Sequence, residues 1–327
     1  MRPTRVTLFL VSLVAVVFTV ALTFATLALP GVLNSVLRGI FPDIYWEPES
    51  IAALMRQARP IGYACLGVVF VLIVGGVLTK RRRLAVVGAV TWFLPAFGYF
   101  AAAMFFLTGI GILRVLWLPF WDTSPTLLKL GDIAYLPFWI VMAPLTLIGV
   151  GPYWLAGNGV ASLVIGAGLF LFCGGTVTWL YGKVAEKTVL DFWFYRYSRH
   201  PQYLGFILWS YGVMLLTALA PVPFGGYQPE PSLPWVISTL LVVCVALTEE
   251  IAMLTRADEG YAAYRRRTPF LLPLPRWLAR IVTAPNRWLL GKDFPDTGRE
   301  VVYTFGVYLI LLILLSLPVL LARGIGG

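Results

Sequence analysis

Three short clusters carry the side chains whose types and spacing could do chemistry. The first runs Tyr195-Arg196-Tyr197-Ser198-Arg199-His200-Pro201-Gln202-Tyr203-Leu204-Gly205 and holds the one histidine of the chain. Proline confines the residue before it to extended backbone and favours the first position of a helix, so His200 is expected to cap a helix that begins at Pro201. The free N–H groups of that first turn, with Arg199, could hold an anionic group such as a carboxylate or phosphate. Gly205 would let another backbone or a flat ligand come close. Tyr, Trp and Arg also collect at any membrane interface, which accounts for the composition of this cluster but not for its order.

The second cluster is Glu249-Glu250, near the C-terminal end of an otherwise apolar helix. Adjacent carboxylates there are opposed by the helix dipole and by each other, so a cation is expected beside them. Arg256, the run Arg265-Arg266-Arg267, a structural ion pair with Arg199, and a cationic ligand all meet that need. The third cluster, Tyr261-Ala262-Ala263-Tyr264-Arg265-Arg266-Arg267-Thr268-Pro269, sets two tyrosines on one helical face at i and i+3. Such a surface could stack on adenine or face a sulfonium or ammonium centre. A basic helix lying on anionic lipid explains the arginines equally well.

The elements that must position these clusters are hydrophobic. Of 327 residues, 59% are hydrophobic and 12% charged, against about 25% charged in soluble domains, which excludes a water-soluble chain. Crossing a bilayer takes about 20 apolar residues. Stretches of that kind lie near Val6–Leu29, Ile61–Thr79, Leu84–Leu113, Ile133–Leu155, Val160–Gly182, Tyr203–Ala220, Trp235–Leu254 and Tyr303–Leu321. The expected fold is therefore all-α, a polytopic transmembrane bundle of seven or eight spans with interfacial helices. The first stretch follows Arg2 and Arg5 but outruns a signal h-region, so it is expected to stay as a helix. Cys65, Cys173 and Cys244 all fall inside apolar stretches, where they act as small apolar residues and imply neither a disulfide framework nor a metal site.

The net charge of +10 sits in loops beside the apolar stretches, the pattern of retention on the cytoplasmic side, so no nucleic-acid partner is expected. Lys80-Arg81-Arg82-Arg83 marks one such turn. Arg256–Arg299, with nine basic residues against four acidic, marks another. Alternating spans from an inward N-terminus would put the basic Lys183–His200 loop outside, so either Leu84–Leu113, interrupted by Pro95, or another stretch is expected not to cross simply. Downstream, Tyr203–Ala220 leads outward and Trp235–Leu254 returns, which brings His200 and Glu249 to one membrane face. Three parts are expected: N-terminal helices over 1–132, a core over 133–275, and an interfacial helix with a last transmembrane helix over 276–327. Pro30–Pro60 reads as a segment with a surface helix. Gly157-Asn158-Gly159 reads as the turn of a tight helical hairpin. Arg276–Leu290 interleaves arginines with Trp277, Leu278, Ile281 and Val282, as an interfacial helix does.

Taken together, Tyr-Arg-x-x-Arg-His-Pro-x-Tyr-x-Gly, a Glu-Glu pair about 45 residues later, and Tyr-x-x-Tyr-Arg-Arg-Arg-x-Pro resemble the isoprenylcysteine carboxyl methyltransferase and phospholipid methyltransferase superfamily. The resemblance covers Tyr195 to Pro273. It implies a polytopic enzyme that uses S-adenosylmethionine at the cytoplasmic membrane surface and takes its acceptor from lipid. It also implies cofactor-binding roles for Tyr195, Arg199, His200, Tyr203, Gly205, Glu249 and Glu250, with Tyr261, Tyr264 and Arg265 in the closing segment. Arg199, His200 and Glu250 are the residues expected to act in catalysis. The chain departs from the pattern at Trp193, where that family usually has glycine, and at Ala257-Asp258, where it has a Phe-Gly pair.

The chemistry expected is methyl transfer to a lipophilic acceptor, an in-line displacement that needs positioning, a cation-tolerant pocket and exclusion of water. Membrane lipids and a lipid, isoprenoid or prenylated acceptor are the expected partners; the oligomeric state stays open. Sterol and steroid reductases that use NADPH show a similar Arg-His-Pro-x-Tyr-x-Gly motif, but they typically continue with an acid where this chain has Phe206. A transporter or scaffold is the third reading, weakened by N-terminal helices almost without charge.

Overall fold

The computed structural model describes residues 4–37, 48–79, 124–150, 153–219, 232–256 and 259–324. Among them the ordered elements are helical. They are α1 (Arg5–Leu37), α2 (Pro48–Leu78), α3 (Leu136–Leu147), α4 (Tyr153–Val184), α5 (Pro201–Leu219), α6 (Ser232–Arg256), α7 (Glu259–Arg267), α8 (Arg276–Leu290) and α9 (Gly298–Gly324). Short 3-10 turns lie at Pro125–Lys129, Asp132–Tyr135 and Trp193–Arg196. Four of the described helices are long and apolar enough to cross a bilayer, over Arg5–Phe24, Leu155–Val184, Trp235–Leu254 and Gly298–Ala322. Leu163 and Phe170 on α4, and Val302, Ile310 and Leu321 on α9, are exposed. A wall of outward apolar side chains on helices that satisfy their own backbone is what hydrocarbon demands. The chain is an integral membrane protein.

Three expectations change. Ile133–Leu155 is not one span: α3 has 12 residues, about 18 Å of rise against a core of about 30 Å. Gly149 ends it in the left-handed region at φ 70°, with Val150 N–H donating to Leu145 C=O at 3.1 Å. That glycine-capped stop is the helix boundary. Gly157-Asn158-Gly159 therefore makes no hairpin and lies inside the continuous α4. Pro30–Pro60 forms no separate surface helix among the described residues, because its first part prolongs α1 to Leu37 and its second opens α2 at Pro48. The described residues contain four such long spans, beside the shorter α5 of 19 residues. Leu84–Leu113 lies outside the described residues.

Packing divides the chain into two units that interleave along it. One comprises Met1–Thr23, Val160–Gly212 and Thr239–Leu311; the other comprises Phe24–Gly159, Val213–Ser238 and Leu312–Gly327. In the second, Ser232 Oγ donates to the fully buried Asp132 carboxylate at 2.7 Å, and Ile133 N–H donates to Ser316 Oγ at 3.2 Å.

The first unit is organised by the crossing of α4 and α5. A Cβ on Gly168 would lie 2.3 Å from Trp209 N, and one on Gly205 would lie 2.4 Å from Phe172 N. Small residues on both helices let the backbones touch, the usual device where lipid offers no hydrophobic drive between helices. The loop after α4 folds back onto it: the Phe194 ring fills the place of a Gly174 Cβ, and Tyr181 packs on Trp193 with ring centroids 4.8 Å apart. Trp193 itself has φ 45°, a left-handed conformation costly for a bulky residue.

Replacing Gly168 by leucine forces α4 and α5 apart and is expected to cost at least about 1–3 kcal/mol, the range for overpacking. Gly166→Leu, two residues away in open space, is the matched control. Thermal unfolding and monodisperse yield in detergent should separate the two variants; equal behaviour would remove the close crossing.

Candidate functional site

α5 does begin at Pro201, with the buried His200 immediately before it. The motif loop is held from below by the backbone: Arg199 N–H donates to Pro269 C=O at 3.0 Å, in the segment that follows α7. Tyr264 Oη donates to Tyr195 C=O at 2.7 Å. Gln202 Nε2 donates to Thr176 Oγ1 of α4 at 3.0 Å. Two sequence clusters about 70 residues apart, from Tyr195 to Tyr264, are thereby stitched together before any ionic contact is counted.

At the centre is Glu250, which is 1% exposed. Its Oε2 accepts from Arg199 Nη1 at 2.9 Å and forms an ion pair with Arg265 Nε at 3.2 Å, and its Oε1 lies 3.1 Å from His200 Nε2. A carboxylate only accepts, so this contact places a hydrogen on His200 Nε2. Arg199, His200, Glu250 and Arg265 are thus one cluster, and the cations sought for the Glu-Glu pair are Arg199 and Arg265. The Arg256 side chain lies outside the described residues, as do Ala257 and Asp258.

Glu249 behaves differently from its neighbour. It is exposed, and it accepts a 2.6 Å bond from Tyr203 Oη. Tyr203 stacks on His200 with centroids 5.6 Å apart. Tyr261 and Tyr264 share a face of α7 as expected, with centroids 5.9 Å apart, and both are buried. Burial, then the charge of Glu250, pushes the Tyr261 phenol up to about 12. Burial likewise raises Tyr264 and Tyr195. Gly205 is not turned toward this cluster by its contacts: the space of its missing side chain is filled by the α4 backbone at Phe172 and Gly168. Its close approach serves a helix, the first of the two uses open to it.

Two aromatic residues absent from the sequence expectations complete the surroundings. Phe270 and Phe294 lie 5.5 and 5.2 Å from the Arg199 guanidinium carbon, and 5.6 Å from each other. These nearly equal distances seat the guanidinium over the notch between the rings rather than between parallel plates. Burial pulls Arg199 below its ordinary range, and Glu250 opposes that effect. One donor is left over: Arg199 Nε is buried with no acceptor among the described residues. A buried donor without a partner costs about 1–3 kcal/mol, so such a group in a native fold calls for an explanation.

Residues 133–268 match the family described as "Protein of unknown function (DUF1295)". The match takes in Tyr195, Arg199, His200, Tyr203, Glu249, Glu250, Tyr261, Tyr264 and Arg265, and stops short of Phe270 and Phe294. No curated protein and no solved structure matches the chain.

Removing Glu250 alone leaves Arg199 buried and unpaired, so Glu250→Ala is expected to lose about 3–5 kcal/mol of stability. Adding Arg199→Met should recover a clear part of that loss. Simple addition of the two single effects in thermal unfolding would show the charges to be uncoupled. For Tyr261 the folded phenol titrates above its unfolded value of about 10. Its stabilisation is complete below that pH and drains away as pH rises toward 12. Tyr261→Phe should flatten the alkaline decline of melting temperature.

Proposed function

We propose that the protein is an S-adenosylmethionine-dependent methyltransferase of the membrane, acting on a lipophilic acceptor at the cytoplasmic face. The observation that carries this reading is the unsatisfied Nε–H of Arg199, in a cluster that joins the three motif regions. S-adenosylmethionine brings a carboxylate for such a donor and a sulfonium carbon for transfer to the acceptor. The residues fit that group in kind: a guanidinium donor for the carboxylate, aromatic faces at Phe270, Phe294 and Tyr261, and the exposed carboxylate of Glu249 for a cationic centre.

Each residue then has a distinct task. Glu250 spends both oxygens on Arg199, Arg265 and His200, so it orients those groups rather than meeting a ligand. Arg199 binds. Phe270 and Phe294 keep water from its charge, which strengthens the remaining hydrogen bond. If the acceptor is an amine or hydroxyl, His200 Nδ1 receives its proton, with the Glu250 charge stabilising the imidazolium; a carboxylate acceptor needs no base. The paired guanidiniums of Arg199 and Arg265 would also suit a phosphate, which keeps an NADPH-dependent reductase as the second reading.

Calorimetry on the purified protein with each cofactor decides between them. S-adenosylmethionine should bind, and Arg199→Met should weaken it by about tenfold or more, the value of a charge-assisted bond. Binding of NADPH with no response to S-adenosylmethionine would replace this reading with the reductase. Transfer of a radiolabelled methyl group into a lipid extract then identifies the acceptor class.

A further inference from the structure

The cluster is completed from the C-terminal segment, beyond the family match. Between α8 and α9 the chain turns through Gly291-Lys292-Asp293-Phe294-Pro295-Asp296-Thr297. Gly291 ends α8 at φ 71°, with its N–H donating to Arg287 C=O at 2.9 Å. Asn286, buried on α8, donates through Nδ2 to Asp293 C=O at 3.1 Å and accepts from Thr304 of α9 at 3.0 Å. Lys292 pairs with Asp296 at 2.7 Å and Glu300 at 2.8 Å, and Asp296 N–H donates to Glu300 at 2.7 Å. The turn is therefore held at both ends and across its middle.

What it presents inward is Phe294, with its ring 5.2 Å from the Arg199 guanidinium carbon and 5.5 Å from that of Arg265. Asp296 adds an ion pair to Arg265 Nη1 at 3.6 Å. Two guanidiniums sharing one carboxylate repel each other, and a ring face that attracts both offsets part of that repulsion without adding a competing acceptor. The phenyl ring adds no acceptor of its own, and Arg199 Nε has no acceptor among the described residues.

We propose that Phe294 is a positioning residue of the site, which orients Arg199 and Arg265 so that the unsatisfied Nε edge of Arg199 stays open to an anionic group. The segment from α8 to the start of α9 is then part of the binding site and not only a surface anchor. The identity of that anionic group as the carboxylate of S-adenosylmethionine rests on the function proposed above; the role of Phe294 does not.

The test uses the full chain in detergent with Phe294→Leu, which keeps an apolar side chain but no ring face, and Phe294→Tyr, which keeps the face. One readout is the rate at which phenylglyoxal modifies Arg199, followed by peptide mass spectrometry and needing no cofactor. The other is calorimetric binding of S-adenosylmethionine. Phe294→Leu should raise the modification rate and weaken binding, each by about tenfold, the scale of losing two partly desolvated cation–π contacts. Phe294→Tyr should stay near wild type in both. Unchanged Arg199 reactivity in Phe294→Leu would overturn the proposal, as would a tyrosine variant that fails alongside the leucine one. Absence of S-adenosylmethionine binding to the wild type would count against the proposed function alone, since the modification rates would still decide the role of Phe294.

Discussion

A carboxylate with 1% of its surface exposed is the constraint on which the rest of this unit depends. Removing such a charge from water costs several kcal/mol even after relaxation, and only well-placed donors repay it. Glu250 obtains them from three directions: the loop before α5, the cap of α5 itself, and α7. None of these elements can shift by a helical turn without leaving a charge buried and alone. The cluster thus specifies one register of α6 against α5 and α7, whatever its net contribution to stability.

That specification works only on a rigid support. Gly168 and Gly205 bring α4 and α5 into backbone contact, and Phe194 and Trp193 wedge the intervening loop onto α4. The loop therefore reaches His200 with little freedom, and Pro201 starts α5 with the imidazole already aimed. The strain at Trp193 is borne because its ring also packs on Phe192, with centroids 5.2 Å apart. A side chain held by several neighbours can occupy a backbone region that it would otherwise avoid.

Local chemistry was the part most readable from the residues. The start of α5 follows from proline, the shared face of Tyr261 and Tyr264 follows from helical spacing, and Arg276–Leu290 follows from its alternation of arginine with apolar residues. The failures have one source. Hydropathy reports what a segment can dissolve in, not where its backbone breaks, so Ile133–Leu155 read as a span although Gly149 divides it. Gly157-Asn158-Gly159 read as a turn because in water those residues free the backbone for solvent. In hydrocarbon an opened backbone has no partner, and the helix persists through them. The partner of Glu250 was beyond the sequence for another reason: several arginines were within reach, and the choice depends on backbone bonds such as Arg199 to Pro269. Phe294 carried no signal, because one phenylalanine in a polar turn resembles any interfacial aromatic.

The identity of the buried base follows from the same surroundings. Desolvation draws protons from cations, and at Arg199 it is the leading influence on the side chain. A lysine ammonium readily responds to such burial by losing its charge, whereas a guanidinium keeps its proton and is more weakly hydrated to begin with. Its planar fork also divides the work: Nη1 meets Glu250 while Nε points elsewhere, a separation that a lysine ammonium does not offer in fixed directions. An aromatic notch, a buried acid and a group that stays charged when dry together fix the sign of this cluster. That constancy matters in a dry cluster, because the water that would otherwise screen its charge has been replaced by the rings of Phe270 and Phe294.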